Sequence, residues 1–446
     1  MQLTVGQLCE AVSGTLLYGS MDDVFQFVST DSREPMTTEL FIPLVGETHD
    51  GHQYLSNAVE NGAKGFLTQI TQVPQTAQFA VLVEDTTRAL GDLAGYVRSL
   101  SKAKVIGITG SVGKTTTRQF VSSVVSTLGK TLATSGNFNN HIGLPLTILK
   151  LQGDEEYLVL EMGMNHSGEI SYLSKIARPH IGIITMIGTS HIEYLGSREN
   201  ILKAKLEIMD GMDENGILLL NRDNDLLSNL SVPKKTYTFG KTGELFPYEI
   251  LSENGTFQMD GTIYRLPIPG IHNIQNASAA VLLGKLLGAT NEQIQTGLSN
   301  FQSVGLRQKM EAVGDIRFII DCYNASKDSD EAALRVLQQT EGTRKIAVLG
   351  PIGELGDFKA SILEEVGKAV QECGIQKLVA VEEDARWIAE GAKKAGMNPN
   401  DVIFCPDRKE FIKETKDLWT AGDVVLLKAS RAYRFEELFD ELKQFL

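Results

Sequence analysis

Short runs of apolar residues alternate with stretches whose apolar positions recur at helical spacing, and this alternation carries on along the whole chain. It is most regular at the C-terminal end, where 315–323, 344–350, 377–383, 401–406 and 423–430 read as strands. Between and after them, 328–340, 360–374, 384–396, 407–419 and 434–446 read as helices. Upstream, a strand at 104–109 runs through a glycine turn into a helix, further strands are expected at 156–163, 180–187 and 215–221, and a late helix at 274–288. The first 100 residues repeat the theme in shorter pieces, with apolar runs at 39–46 and 79–83 and a helical stretch to Leu100. Strand–helix alternation of this kind predicts parallel sheets with helices on both faces, which take ligands at the carboxyl ends of their strands.

A length of 446 residues is more than one core accommodates. The expectation is α/β architecture in three domains, 1–97, 98–312 and 313–446. Forty-two glycines against twelve prolines suit many tight strand-to-helix turns. The formal net charge of -14 offers no broad basic face, which argues against nucleic acid or an anionic membrane as partner. Small anionic substrates stay open, since they need only a local cluster of donors. The four cysteines, Cys9, Cys322, Cys373 and Cys405, are scattered with no CxxC pair, so neither a zinc site nor a disulfide framework is expected. The N-terminal stretch does not read as a signal peptide and no run approaches a membrane span, so a cytoplasmic protein acting on small molecules as a monomer is expected.

The clearest chemistry lies at Thr109, Gly110, Ser111, Val112, Gly113, Lys114, Thr115 and Thr116. Glycines let backbone N–H groups wrap phosphates, the following helix adds its N-terminal dipole, Lys114 can reach terminal phosphates and Thr115 can ligate magnesium. The first position of the generic phosphate-loop pattern falls on Ile108 rather than glycine. Such a loop serves kinases, hydrolases, motors and ligases alike, so it names a ligand and not a reaction.

The displaced loop resembles that of the Mur ligase family. Further segments resemble it in order: Asn137-Phe138-Asn139-Asn140-His141, Glu161-Met162-Gly163-Met164-Asn165, Gly188-Thr189-Ser190-His191, Ala204-Lys205-Leu206-Glu207 and Gly270-Ile271-His272-Asn273 with Asn276. The resemblance implies an ATP-dependent ligase working through an acyl-phosphate, with D-alanyl-D-alanine and UDP-N-acetylmuramoyl-tripeptide as expected substrates. It implies a small domain for the UDP-linked substrate, a central phosphate-loop domain and a Rossmann-like C-terminal domain for the incoming amine. ATP and two magnesium ions are the expected cofactors.

Residue by residue, the resemblance makes Thr115 and Glu161 ligands of one magnesium, and His191 with Lys205 ligands of a second. Glu161 also ends an apolar strand, a place where a carboxylate can hold a metal against phosphate. Lys205, by sequence only a solvated lysine in a charged helix, matches a lysine that the family carries as a carbamate. Lys114, Lys205, His191 and Glu161 are thus the expected catalytic set. Asn273 and Asn276 stand one helical turn apart and can face one ligand edge, the adenine in the family, although Asn273 can equally cap the helix. Arg307 and Asp321 are expected at the nucleotide. Ser32, Arg33, Gly46, Asp50, Asn137, Asn139 and Asn140 are expected at the UDP-linked substrate.

The C-terminal segment departs from the family pattern. Ser326-Lys327 stands for Asn-Pro, Pro351-Ile352 for Asp-Met, Ala429 for Gly, and a family histidine near Ser361 is not evident. These departures leave open a related ligase with a different amine substrate. A catalytically idle nucleotide-binding scaffold is the alternative of another class.

Overall fold

In the computed structural model all residues are described except Thr38, Val304, Phe445 and Leu446. Three sheets organise the chain. The first runs in the order Thr15–Tyr18, Phe79–Leu82, Gly65–Thr68, Glu39–Phe41, Phe27–Ser29; only its first pair is antiparallel. The central sheet is parallel throughout, in the order Lys235–Phe239, Ile217–Asn221, Ile181–Ile184, Lys104–Thr109, Tyr157–Glu161, Thr131–Ala133. Its middle strands are apolar on both faces, with Val105, Ile106, Ile108, Leu158, Val159 and Leu160 wholly buried, as helices on both sides require.

The third sheet runs Lys309–Val313, Ile316–Ile320, Asp423–Lys428, Arg344–Leu349, Lys377–Val381, Val402–Cys405. All its pairings are parallel except the first, a hairpin of Lys309–Val313 with Ile316–Ile320. That hairpin draws the chain into the third sheet from Lys309 onward. The predicted strands and helices of this region all form; the final helix ends at Leu442, and the last two residues of its expected span lie outside the described residues. An antiparallel meander at Tyr248–Ser252, Thr256–Met259 and Thr262–Arg265 has no counterpart in the sequence reading. Its strands are short and half-exposed, and no apolar run announces them.

The helix Thr86–Leu100 joins the first sheet to the centre. Asp85 caps it by accepting from the Thr87 and Arg88 N–H groups. On its far face a Cβ at Gly91 would stand 2.1 Å from the Tyr172 hydroxyl, and Arg98 donates to the Ala177 carbonyl at 2.8 Å. Glycine thus permits close packing of this helix on Glu169–Ala177. Among the described residues no helix is long and apolar enough to cross a membrane.

Candidate functional site

The phosphate loop leaves strand Lys104–Thr109 and enters helix Lys114–Val125. Gly110 at φ +150° and Gly113 at φ +84° take backbone angles that side chains disfavour. They also leave no room: a Cβ would stand 1.9 Å from Thr185 Oγ1 at Gly110 and 2.5 Å from Asn276 Oδ1 at Gly113. Thr109 Oγ1 donates to the Met162 carbonyl, and Thr185 Oγ1 to the Val112 carbonyl at 2.5 Å, so both ends of the loop are tied to neighbouring strands. Lys114 folds back onto the loop, donating to the carbonyls of Gly110 at 2.7 Å and Ser111 at 3.2 Å. Burial lowers its pKa, with Glu161 opposing and Arg307 adding to the shift.

Register places Glu161 opposite Ile108, one residue before the loop begins. Its Oε2 accepts from Thr115 Oγ1 at 2.9 Å and its Oε1 from Asn139 Nδ2 at 2.9 Å. Arg118 Nε lies 3.5 Å from the same carboxylate, with both side chains almost entirely buried, 1% and 2% exposed. Sequence reasoning missed Arg118, although it follows Lys114 by one helical turn on the same face. Two of its nitrogens, Nε and Nη2, have no hydrogen-bond partner among the described residues, which leaves a buried positive charge turned on the carboxylate.

Among the described residues no three His, Cys, Asp or Glu side chains gather as a metal cage. The donor set nevertheless suits magnesium, a hard cation that takes one or two protein oxygens and fills its shell with phosphate and water. Thr115 Oγ1 and the Glu161 carboxylate are such a pair.

Lys205 differs sharply from its reading as a solvated lysine: it is 1% exposed, and its side chain has no hydrogen bond or ion pair among the described residues. Burial, and then repulsion from Lys114, pull its pKa well below the ordinary lysine value. The helix Arg198–Leu206 packs it inward, which its mixed sequence did not announce. It does not line the cavity itself. His191, at φ +64° before the short helix Ile192–Leu195, does line it. Its Nδ1 lies 2.5 Å from Glu354 Oε2, off the axis of the ring N–H, in a close contact rather than a linear hydrogen bond. The His191 ring so close beside it keeps the Glu354 carboxyl below the usual carboxylate range.

A cavity of about 510 Å³ joins these groups to the third sheet. The loop from Ser111 to Thr116, Glu161 and His191 form one side; Asp321, Asn324, Ser326 and Lys428 form the other. Lys428 Nζ donates to Asp321 Oδ2 at 2.7 Å and to the Asn324 carbonyl at 3.0 Å, and lies 3.8 Å from Asp330. Burial works against its charge, but Asp321 and Asp330 outweigh it and raise its pKa. Asp330, fully buried, is pushed up by that burial to about 7.

Asn273, Asn276 and Arg307 line the same cavity. Asn273 does not cap its helix, which begins after Gly270; its amide donates to the Pro269 carbonyl and to Gln308 Oε1. Asn276 accepts from Thr117 Oγ1. Arg307 stacks its guanidinium 3.8 Å over the Tyr323 ring, at the crossing into the third sheet. His272, quoted within its motif but given no role, and Gln308 join them, with burial lowering the His272 pKa. Asn137, Asn139 and Asn140 also line the cavity; Asn139 holds Glu161, and Asn140 Oδ1 accepts from the Ile142 and Gly143 N–H groups to shape the turn.

The remaining predicted residues lie apart from this cavity. Ser32 and Arg33 follow strand Phe27–Ser29, while Gly46 and Asp50 follow Glu39–Phe41, so all four sit at carboxyl ends of the first sheet. Arg33, 85% exposed, pairs with Asp31 and draws its carboxyl down to about 2. Asp50 accepts from the backbone N–H and Nδ1 of His52, whose Nε2 accepts from the Gln69 N–H after a third strand.

A phosphate loop on a parallel sheet, facing the carboxyl ends of a second such sheet across one cavity, defines a multidomain nucleotide-dependent enzyme of the α/β class. The family follows from comparison with known proteins. The description "Mur ligase middle domain" matches residues 108–284, and "Mur ligase, glutamate ligase domain" matches 308–431. The UDP-N-acetylmuramoyl-tripeptide--D-alanyl-D-alanine ligase of Bacillus subtilis (strain 168) is 38% identical over 98% of each chain. The crystal structure of MurF from Acinetobacter baumannii superposes with a TM-score of 0.90 at 32% identity, covering 100% of this chain and 99% of that one. MurF ligase from Thermotoga maritima, solved in complex with ADP, has a TM-score of 0.81 at 27% identity, covering 94% and 97%. The chain belongs to the Mur ligase family.

Proposed function

We propose that the chain joins D-alanyl-D-alanine to UDP-N-acetylmuramoyl-tripeptide with cleavage of ATP to ADP, in peptidoglycan precursor synthesis. The observation that carries this reading is the shared cavity, in which a phosphate loop faces the carboxyl ends of the third sheet. Two substrates held on different units must meet there, as amide ligation demands.

In this reading ATP lies on residues 109–116, its adenine between Asn273 and Asn276, and residues 1–97 hold the UDP-linked substrate through Ser32, Arg33, Gly46 and Asp50. Asn137, Asn139 and Asn140 guide its peptide toward the γ-phosphate. The third unit presents the dipeptide amine. Lys114 exchanges its own loop carbonyls for phosphate oxygens, and Arg307 adds positive charge from the hinge. Magnesium on Thr115 and Glu161, and on His191 with Lys205, would neutralise developing charge on the phosphoryl and carboxyl oxygens. Lys205 suits carbamylation because a buried, unpaired lysine is easily neutral, and only the neutral amine attacks carbon dioxide. A substrate carboxylate attacks the γ-phosphorus, and the amine then displaces phosphate from the acyl-phosphate. Most of the rate comes from positioning and charge neutralisation, with water excluded between the units. The protein is read as a cytoplasmic monomer.

Of the C-terminal departures, Ser326 lines the cavity, whereas Lys327 and Ala429 do not. Lys327 pairs with Glu365 on the neighbouring helix and is not a lining group, while Ala429 is buried beside Gly350. Phosphate release from ATP with magnesium and the UDP-linked tripeptide, with and without D-alanyl-D-alanine, tests the reading. Release that needs both, with the pentapeptide seen by mass spectrometry, is expected. Turnover with another amine only would mean a changed acceptor site, and ATP binding without turnover an idle scaffold.

A further inference from the structure

The neighbour of His191 comes from another unit. Glu354 lies in the loop after strand Arg344–Leu349 of the third sheet, yet its carboxylate reaches Nδ1 of a histidine on the central sheet. Both residues occupy the left-handed region, His191 at φ +64° and Glu354 at φ +58°, where non-glycine residues persist only when their surroundings hold them. The surroundings are visible. The Glu354 carbonyl accepts from the Glu193 N–H at 3.3 Å, and the Gly353 N–H donates to Ser430 Oγ at 2.9 Å. Leu355 is buried, and Gly356, at φ +49°, brings its backbone against the Glu193 side chain. The loop is thus clamped onto the turn that carries His191.

A carboxylate has only lone pairs to offer, so this contact favours the tautomer with its proton on Nδ1. Nε2 then keeps its lone pair, and it has no hydrogen-bond partner among the described residues. A metal-binding histidine is commonly oriented in this way, by an acceptor on its other nitrogen. The off-axis approach suits a contact that tightens only when ligands are bound. We propose that Glu354 is the positioning residue for His191, delivered by the third unit to fix the ring tautomer that leaves Nε2 free for a divalent cation. Seating of the third unit then completes the metal site as well as enclosing the amine. The inference rests on the ligase reading, which places His191 at the metal.

The test uses the full chain with Glu354→Ala and Glu354→Gln. Manganese binding in the presence of a non-hydrolysable ATP analogue is read by electron paramagnetic resonance. The His191 tautomer is read from ring nitrogen shifts, assigned by their loss in His191→Asn. Glu354 is 38% exposed, so its replacement leaves the core intact. The alanine variant is expected to lose about 10- to 100-fold in manganese affinity and in kcat, with KM for ATP changed less than about threefold. The glutamine variant keeps an acceptor oxygen and should recover the tautomer and most of the affinity. Wild-type manganese affinity and tautomer in the alanine variant would overturn the proposal, even if activity fell. So would a glutamine variant as weak as the alanine one. Wild-type protein that releases no phosphate, but whose manganese affinity depends on Glu354, would sink the ligase reading and leave this inference standing.

Discussion

At the carboxyl ends of the central sheet the charged side chains brace one another out of water, whereas at the carboxyl ends of the first sheet they stand in it. Glu161 is held by Thr115, Asn139 and Arg118 together, and all but the rim of that cluster is buried. Arg33, by contrast, leans on Asp31 alone, and the Asp50 side chain is about half exposed. The first arrangement is built before any ligand arrives; its polar groups already have their directions, so phosphate binding costs little further ordering. The second must be ordered by its substrate, which suits a large flexible nucleotide–peptide but makes each contact there worth less.

The largest effect that would sharpen this contrast is at Lys114. Lys114→Ala should lower ATP-dependent turnover by about 100- to 1000-fold, the loss typical of one preorganised electrostatic donor; a phosphate-release assay near the wild-type rate would break the account of the central wall. Glu161→Ala comes next. It strands the buried Arg118 charge, so it should cost about 3 kcal/mol of stability in urea unfolding besides activity. An unchanged urea midpoint would show that the cluster is not mutually braced. Arg33→Ala should do the reverse: stability within about 0.5 kcal/mol of wild type, but KM for the UDP-linked substrate raised about tenfold, as for one lost charged hydrogen bond. Equal effects on the KM for ATP would place Arg33 outside the role assigned to it.

The remaining effect belongs to the third unit and is read as a dependence on pH. Asp330 titrates near 7 in the folded chain against an ordinary value of 3.8. The folded state therefore holds a proton that the unfolded chain gives up, and this contribution to stability is full below about pH 4 and lost as pH rises through 7. Asp330→Asn removes the dependence. Its melting temperature should match wild type near pH 4, exceed it increasingly toward pH 7, and keep a constant gap above that. A gap independent of pH would contradict a buried, late-titrating carboxyl.

Much of this was legible in the chain, and the reasons are local. The glycines of 109–116 announce a backbone that only glycine adopts, and the apolar runs at Lys104–Thr109, Tyr157–Glu161 and Ile181–Ile184 announce buried parallel strands. Glu161 was visible as a carboxylate at a strand end. The meander at 248–265 was not visible, because its half-exposed strands have no sustained pattern. Arg118 looked like any helical arginine, although its spacing from Lys114 was a signal that could have found it. Nothing near Glu354 along the chain announced that it would meet His191.

The sequence by itself determined the alternation of strands and helices, the phosphate loop and the membership of a ligase family, since these rest on periodicity, on glycine and on residue types close together along the chain. Only the tertiary structure decided that Lys205 is buried and unpaired, that Arg118 faces Glu161 and that Glu354 reaches His191. Burial and pairing are properties of what packs around a side chain, and here the partners come from strands and loops far apart in sequence. Charge in water and charge inside protein differ in energy by far more than any local propensity, so the chemistry of these residues was settled by the fold.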